Sequence, residues 1–305
     1  LFNIHTMDWD DELLSLFNIP RAILPEVKES MDDYGRVSQD IMRLQPPILG
    51  VAGDQQASLF GHCCFEEGQA KATYGTGCFI LMNTGTHAVP SKNGLVTTVA
   101  ASTKGELRYA LEGSVFNAGS TVQWLRDELG LIKDASETEE LALSVPDTAG
   151  AYLVPAFTGL GAPWWDAEAR GLICGLTRGC TRAHLARAAL ESIAYQAYDV
   201  LEAMRNDFPC DIEELAVDGG GSQNRFTMGW QAGLLQRPVV RPKTAEVTAL
   251  GAAYLAGLNA GYWKDLDSLR ANAVQATRFF KPEIAEGLRQ QSLDGWYRAL
   301  NRTRG

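Results

Sequence analysis

The stretch Asp218-Gly219-Gly220-Gly221-Ser222-Gln223-Asn224 constrains this chain most. It follows a strand-like run, Glu214 to Val217, and precedes a helical pattern from Phe226 to Leu235. A strand, a glycine turn and a helix in that order bring backbone N–H groups and the positive end of a helix to one point. The flat ring or the phosphates of a nucleotide can approach there. The turn is not GxGxxG, and no GxxxxGK[ST] occurs anywhere, so neither the dinucleotide fingerprint nor the P-loop is supported. A turn that simply needs positive φ would use the same glycines.

A second glycine turn lies earlier. Ala72 to Asn83 reads as two short strands joined at Gly75-Thr76-Gly77. Such a tip exposes N–H groups and one hydroxyl, with no bulky side chain in the way of a phosphate. An ordinary hairpin has the same composition. Gly94 to Ala101 and Leu107 to Leu111 add two strands around a Lys104-Gly105 tip, and Ser114 to Leu129 carries a helical pattern. Asp134 to Glu140 reads as a solvated helix face. Strands follow at Ala151 to Phe157 and Gly171 to Leu176, flanking a Gly-, Pro- and Trp-rich loop, Thr158 to Asp166. Thr181 then caps a long helix, Arg182 to Asn206, with a buried stripe through Leu185, Ala189, Ile193 and Val200. Val239-Val240 is a short strand, Val247 to Ala260 a small-residue helix able to pack closely, and the tail from Lys264 is amphipathic. A β-meander, a helix, then alternating strands and helices is the order of one lobe of a two-lobed nucleotide-binding fold. The class is α/β, a mixed sheet flanked by helices.

The third feature is Val51-Ala52-Gly53-Asp54-Gln55-Gln56, between the apolar run Pro47-Ile48-Leu49-Gly50 and a helical pattern from Ala57 to Phe65. It reads as strand, tight turn, helix. Asp54 is the candidate general base for a substrate hydroxyl, and Gln55 can hydrogen-bond a polyol. A plain helix cap is the competing reading of Asp54.

The 305 residues suffice for one large or two ordinary domains. Net charge is −10 without a long basic run, which argues against nucleic acid or an anionic membrane as the main partner. The six cysteines form no CxxC pair, the four histidines have no zinc-type spacing, and no apolar run is long enough to span a bilayer. Reduced thiols and a cytoplasmic location are expected. Leu1-Phe2-Asn3-Ile4 reads as a strand already under way, so the chain is expected to be a piece of a longer one.

Several runs together resemble the FGGY family of carbohydrate kinases, and within it the C-terminal part of the members that phosphorylate glycerol. They are Leu1 to Asp10, Gly53 to Ala57, Tyr74 to Phe79, Tyr109 to Gly113, Val154 to Pro163, Val217 to Gly220 and Glu246 to Ala253. Gly171 to Glu191 resembles the second signature of the wider sugar-kinase family. The resemblance implies an actin-like ATPase (ribonuclease H-like) lobe and transfer of the γ-phosphoryl of ATP, with Mg²⁺, to glycerol. It implies Asp54 as catalytic base, Gln55 and Phe79 at the glycerol site, and Thr76, Gly119, Gln123, Gly220 and Asn224 at the ATP or ADP site. No metal site is implied beyond the Mg²⁺ delivered with ATP. Residues 1–60 would end the substrate lobe and 61–305 form the nucleotide lobe, the N-terminal half being absent.

The family's first phosphate loop and most glycerol contacts lie upstream of Leu1, so the chain alone is expected to be inactive. Its Gly-rich allosteric loop would fall near Gly35, where Arg36-Val37-Ser38-Gln39-Asp40 does not match, and nothing is implied about fructose 1,6-bisphosphate. Homodimers or homotetramers are expected from relatives. Two other readings stay open: another sugar or polyol kinase of this family, and a non-catalytic actin-like nucleotide-binding module.

Overall fold

The structure is a computed structural model that describes residues 1–244, 246–273 and 276–304. Of the amphipathic tail read from the sequence, Val274, Gln275 and Gly305 lie outside the described residues.

The chain opens with a hairpin of β1 (Phe2–Asn3) and β2 (Asp8–Trp9), then α1 (Asp11–Leu16). Asp10 caps α1 by accepting from the Leu13 N–H at 3.0 Å. Asp8 and Trp9 stay outside this helix because they pair with Asn3 and Phe2. The strand expected at Pro47 to Gly50 does not form; Pro47 makes a single bridge to Arg36. Two consecutive prolines lack the N–H donors a ladder requires. Irregular backbone instead leads directly to α2 (Asp54–Gly61).

Four strands form the meander: β3 (Ala70–Tyr74), β4 (Cys78–Gly85), β5 (Val96–Val99) and β6 (Tyr109–Val115). The next helix, α3 (Gly119–Asp127), starts later than its periodicity suggested, because Ser114 and Val115 complete the ladder opposite Phe79 and Cys78. After α4 (Glu137–Leu143) come β7 (Tyr152–Val154) and β8 (Leu172–Cys174), which among the described residues pair only with each other. Then follow α5 (Arg182–Asp207), β9 (Leu215–Asp218), α6 (Arg225–Leu235) and β10 (Val239–Pro242). The chain continues through α7 (Val247–Asn259), α8 (Leu266–Asn272), β11 (Ala276–Phe280) and α9 (Glu286–Thr303).

The main sheet has the order β11-β10-β9-β3-β4-β6-β5. Its β3–β9 and β9–β10 pairs are parallel and the others antiparallel, so it is mixed. Side chains alternate between its faces. Ala72, Tyr74, Ile80, Met82, Leu111 and Val115 point to one face and join Leu190, Tyr195, Leu201 and Met204 of α5 in the largest core cluster. Each buried Ile, Leu, Met or Val among these contributes roughly 1.5–3 kcal/mol. The opposite face of β3 carries Lys71 and Thr73 and turns toward α2.

Close helix packing fixes α2. A Cβ on Gly251 of α7 would stand 1.8 Å from the Ala57 carbonyl, and one on Gly61 would stand 2.3 Å from the Val247 carbonyl. The small-residue helix read from the sequence thus seats the helix that begins with Asp54. Of the loop tryptophans, Trp164 packs against the core, whereas Trp165 is half exposed.

Candidate active site

The two glycine turns meet at the end of β3. Thr76 accepts hydrogen bonds at its carbonyl from the N–H groups of Ala118 and Ser120, both at 3.0 Å, and Gly75 accepts from Gly119 at 3.0 Å. The hairpin tip is thereby fastened to the first turn of α3. A Cβ on Gly119 would lie 2.5 Å from the Gly75 carbonyl, so only glycine permits this approach. Across from the tip, Gly219 has φ +80°, and a Cβ there would lie 2.5 Å from the Tyr74 carbonyl. Gly220 differs from both: nothing stands within 4 Å of an added Cβ, so its bare backbone faces open space.

That space is a cavity of about 680 Å³. Thr76, Gly119, Gln123, Gly220 and Asn224 all line it, so the five nucleotide candidates converge. Asn224 also serves the fold. Its Oδ1 accepts from the Thr227 N–H at 3.0 Å, capping α6, and its Nδ2 donates to Thr138 Oγ1 at 3.3 Å.

Thr138 belongs to α4, which forms a further wall; Asp134 and Glu140 are exposed as the composition suggested, but the other side of α4 packs inward. Thr138 and Ala142 are buried, and Glu139 accepts from the Arg225 N–H at 2.6 Å and from Arg225 Nε at 2.7 Å. Both Glu139 and Arg225 line the cavity. Only their opposite charges hinted at this pairing, and they stand 86 residues apart.

The acceptor-side candidates form a second group. Asp54 is the first residue of α2, after Gly53 at the cap position, and is exposed. One carboxylate oxygen accepts from the Gln55 N–H at 2.9 Å, which suits an acid in the first turn of a helix. Gln55 Nε2 donates to the other oxygen at 3.4 Å. Gln55 Oε1 accepts in turn from Lys71 Nζ, which also donates to Thr73 Oγ1 at 2.9 Å and to the Phe79 carbonyl at 3.4 Å. Phe79, opposite Thr73 in the ladder, keeps 37% of its surface exposed. Lys71 thus joins the three acceptor-side candidates.

Asp218 connects the two groups. It ends β9, immediately before Gly219, and is buried. Its Oδ2 accepts from Ser58 Oγ at 2.8 Å and lies 3.2 Å from His62 Nε2, both on α2 or at its end. Burial pushes this carboxyl upward, but the contacts with His62, Thr73 and Lys71 together hold it below its ordinary value.

Residues 70–260 match the C-terminal domain model of the FGGY family of carbohydrate kinases, and residues 1–61 match its N-terminal domain model. The chain belongs to the FGGY family. This FGGY chain is 55% identical over 305 residues to a glycerol kinase of Brevibacillus brevis, covering 100% of the chain and 61% of that relative. It is 56% identical over 304 residues to a glycerol kinase of Pseudomonas fluorescens, covering 100% of the chain and 60% of that relative. Among solved structures, glycerol kinase from Plasmodium falciparum with ADP superposes with a TM-score of 0.92 at 36% identity, covering 99% of this chain and 61% of that one. A xylulose kinase from Lactobacillus acidophilus, at 23% identity and a TM-score of 0.86 over 99% of this chain and 62% of that one, shares the fold. The FGGY chain therefore has the actin-like α/β fold. It spans about three fifths of the length of the curated relatives it matches. Among its described residues, no helix is long and apolar enough to cross a membrane.

Proposed function

We propose that this chain is part of an ATP:glycerol phosphotransferase, with residues 1–60 ending the substrate lobe and residues 61–305 forming the nucleotide lobe. The convergence of Thr76, Gly119, Gln123, Gly220 and Asn224 on one cavity of about 680 Å³ carries this reading. That volume is typical of small-molecule sites. Similarity to curated glycerol kinases supports glycerol as acceptor, and the ADP named with the Plasmodium falciparum structure supports an adenine nucleotide.

The chemistry follows from the two groups of residues. Asp54 takes the proton of a terminal glycerol hydroxyl as its oxygen attacks the γ-phosphorus of ATP. The new O–P bond forms while the bond to the β-phosphate oxygen breaks, and ADP leaves. Gln55 hydrogen-bonds a hydroxyl of glycerol, and the exposed ring of Phe79 lies against its carbons. The backbone at Thr76 and Gly220 lets phosphates approach closely. Phosphoryl transfer depends chiefly on such positioning and on charge neutralisation. Mg²⁺ supplies part of that neutralisation when bound, and needs few protein ligands because it keeps several waters and phosphate oxygens.

One wall of a cleft does not exclude water from the reacting atoms, so the chain alone binds Mg·ADP without turning over glycerol. The test is a substrate panel on the complete protein containing this chain. Glycerol should give the highest kcat/KM. A pentulose or another polyol preferred tenfold over glycerol would overturn the assignment, and so would glycerol phosphorylation by the isolated chain for the account of the two walls.

A further inference from the structure

We infer that Lys71 is a positioning residue for the acceptor side of the reaction, because its buried ammonium dictates which end of the Gln55 amide faces Asp54. The inference rests on the reading of Asp54 and Gln55 given above.

Lys71 lies in β3 with none of its surface exposed. A lysine there is unusual, since burying an ammonium is costly unless each N–H finds an acceptor. All three do: Gln55 Oε1, Thr73 Oγ1 at 2.9 Å and the Phe79 carbonyl at 3.4 Å. An ammonium only donates, so it selects the oxygen end of the Gln55 amide. The NH₂ end is then left for Asp54 Oδ2, at 3.4 Å. The two ends of an amide have nearly the same shape, so without Lys71 the side chain is free to turn its oxygen toward the carboxylate. Lone pairs would then oppose lone pairs at the position meant for a substrate hydroxyl. The same ammonium holds the carbonyl of Phe79, whose ring is the apolar side of that position.

The ionisable groups that act on Lys71 are Asp218 of β9, the thiol of Cys78 on the other face of the sheet, Glu112 of β6 and the thiol of Cys64. Burial pushes the Lys71 ammonium down to about 8, against the pull of Asp218. Burial also raises Glu112, which senses both Lys71 and Asp54. A neutral Lys71 amine can accept as well as donate, so its choice of the amide oxygen weakens as pH rises.

The test uses the complete protein. In Lys71→Met, the glycerol KM should rise about tenfold or more and kcat should fall, as expected when one partner of a buried polar contact is lost. The KM for ATP and the affinity for Mg·ADP should stay within about twofold, since Lys71 does not line the nucleotide cavity. In the wild type, the glycerol KM should climb above about pH 8 while the ATP KM stays flat, and Lys71→Met should lack that climb. An unchanged glycerol KM in Lys71→Met would overturn the inference alone. A flat wild-type glycerol KM from about pH 7 to about pH 9.5 would do so even if the variant failed to fold. A wild-type protein that does not phosphorylate glycerol would overturn the proposed function, and the inference with it.

Discussion

Ser58 donates its hydroxyl to the carboxylate of Asp218 at 2.8 Å, across 160 residues of sequence, with both side chains buried. The bond ties the helix that begins with Asp54 to the strand that ends at the Gly219–Gly221 turn. The two halves of the site therefore share one anchor. Asp218→Asn should lower stability by about 1–3 kcal/mol, because it weakens contacts with both Ser58 and His62 in a buried setting. It should also weaken Mg·ADP binding, by displacing Gly219 and Gly220. Urea unfolding and calorimetric titration on the same preparation check both effects.

Gly219 and Gly220 should separate by experiment. Gly220→Val should leave stability within about 0.5 kcal/mol of the parent, because its side chain would enter open space. It should nonetheless weaken Mg·ADP at least about tenfold by filling the position of the ligand. Gly219→Ala should instead destabilise by about 1–3 kcal/mol, since φ is +80° and the Tyr74 carbonyl blocks the new methyl. Thermal unfolding with and without nucleotide distinguishes the two behaviours.

Helix contact, not ligand contact, governs Gly251. A methyl group there would press on the Ala57 carbonyl at 1.8 Å, so Gly251→Ala must push α2 away from α7. The expected cost is about 1–3 kcal/mol. In the complete protein, kcat should fall more than ADP affinity, because the displaced helix carries Asp54 and not the nucleotide cavity. Denaturant midpoints and steady-state kinetics on the variant test this together.

Much of this architecture was legible in the sequence for identifiable reasons. Glycines at the Thr76 tip and at Gly219 to Gly221 mark turns in the sequence, and α5 reads as a helix there; the single buried stripe does not hold, since Ala186 to Leu201 are buried all round and Leu185 is only partly buried. Lys71 was not legible. In Ala-Lys-Ala-Thr an alternating lysine reads as solvent-facing, and only α2 packing on that face buries it. The Glu139–Arg225 pair and the Ser58–Asp218 bond were hidden for the same reason, since tertiary contact alone creates them. In the sequence Asp54 follows a strand-like run, yet irregular backbone precedes it, so rigidity comes from the Gly61 and Gly251 packing instead.

A pH effect on stability should come from Asp199, which accepts from Trp296 Nε1 at 2.9 Å in the core. Burial raises its carboxyl to about 7, against the opposing effect of its indole donors. The folded chain then keeps this proton over a range in which the unfolded chain has lost it. The associated stability is fully present below about pH 4 and is lost as pH rises through about 7. Asp199→Asn should flatten that decline, with a gain on the order of a few kcal/mol over the parent at pH 8. Urea midpoints from pH 4 to pH 8 report the difference, and parallel curves for the two proteins would rule out Asp199 as its source.

The central claim is that this chain by itself contains a nucleotide site built from the two glycine turns. Calorimetric titration of the folded chain with Mg·ADP, without glycerol, tests it most directly. The account predicts saturable one-site binding that Gly220→Val weakens at least about tenfold. No binding by a chain that unfolds cooperatively, or equal binding by Gly220→Val, would contradict it.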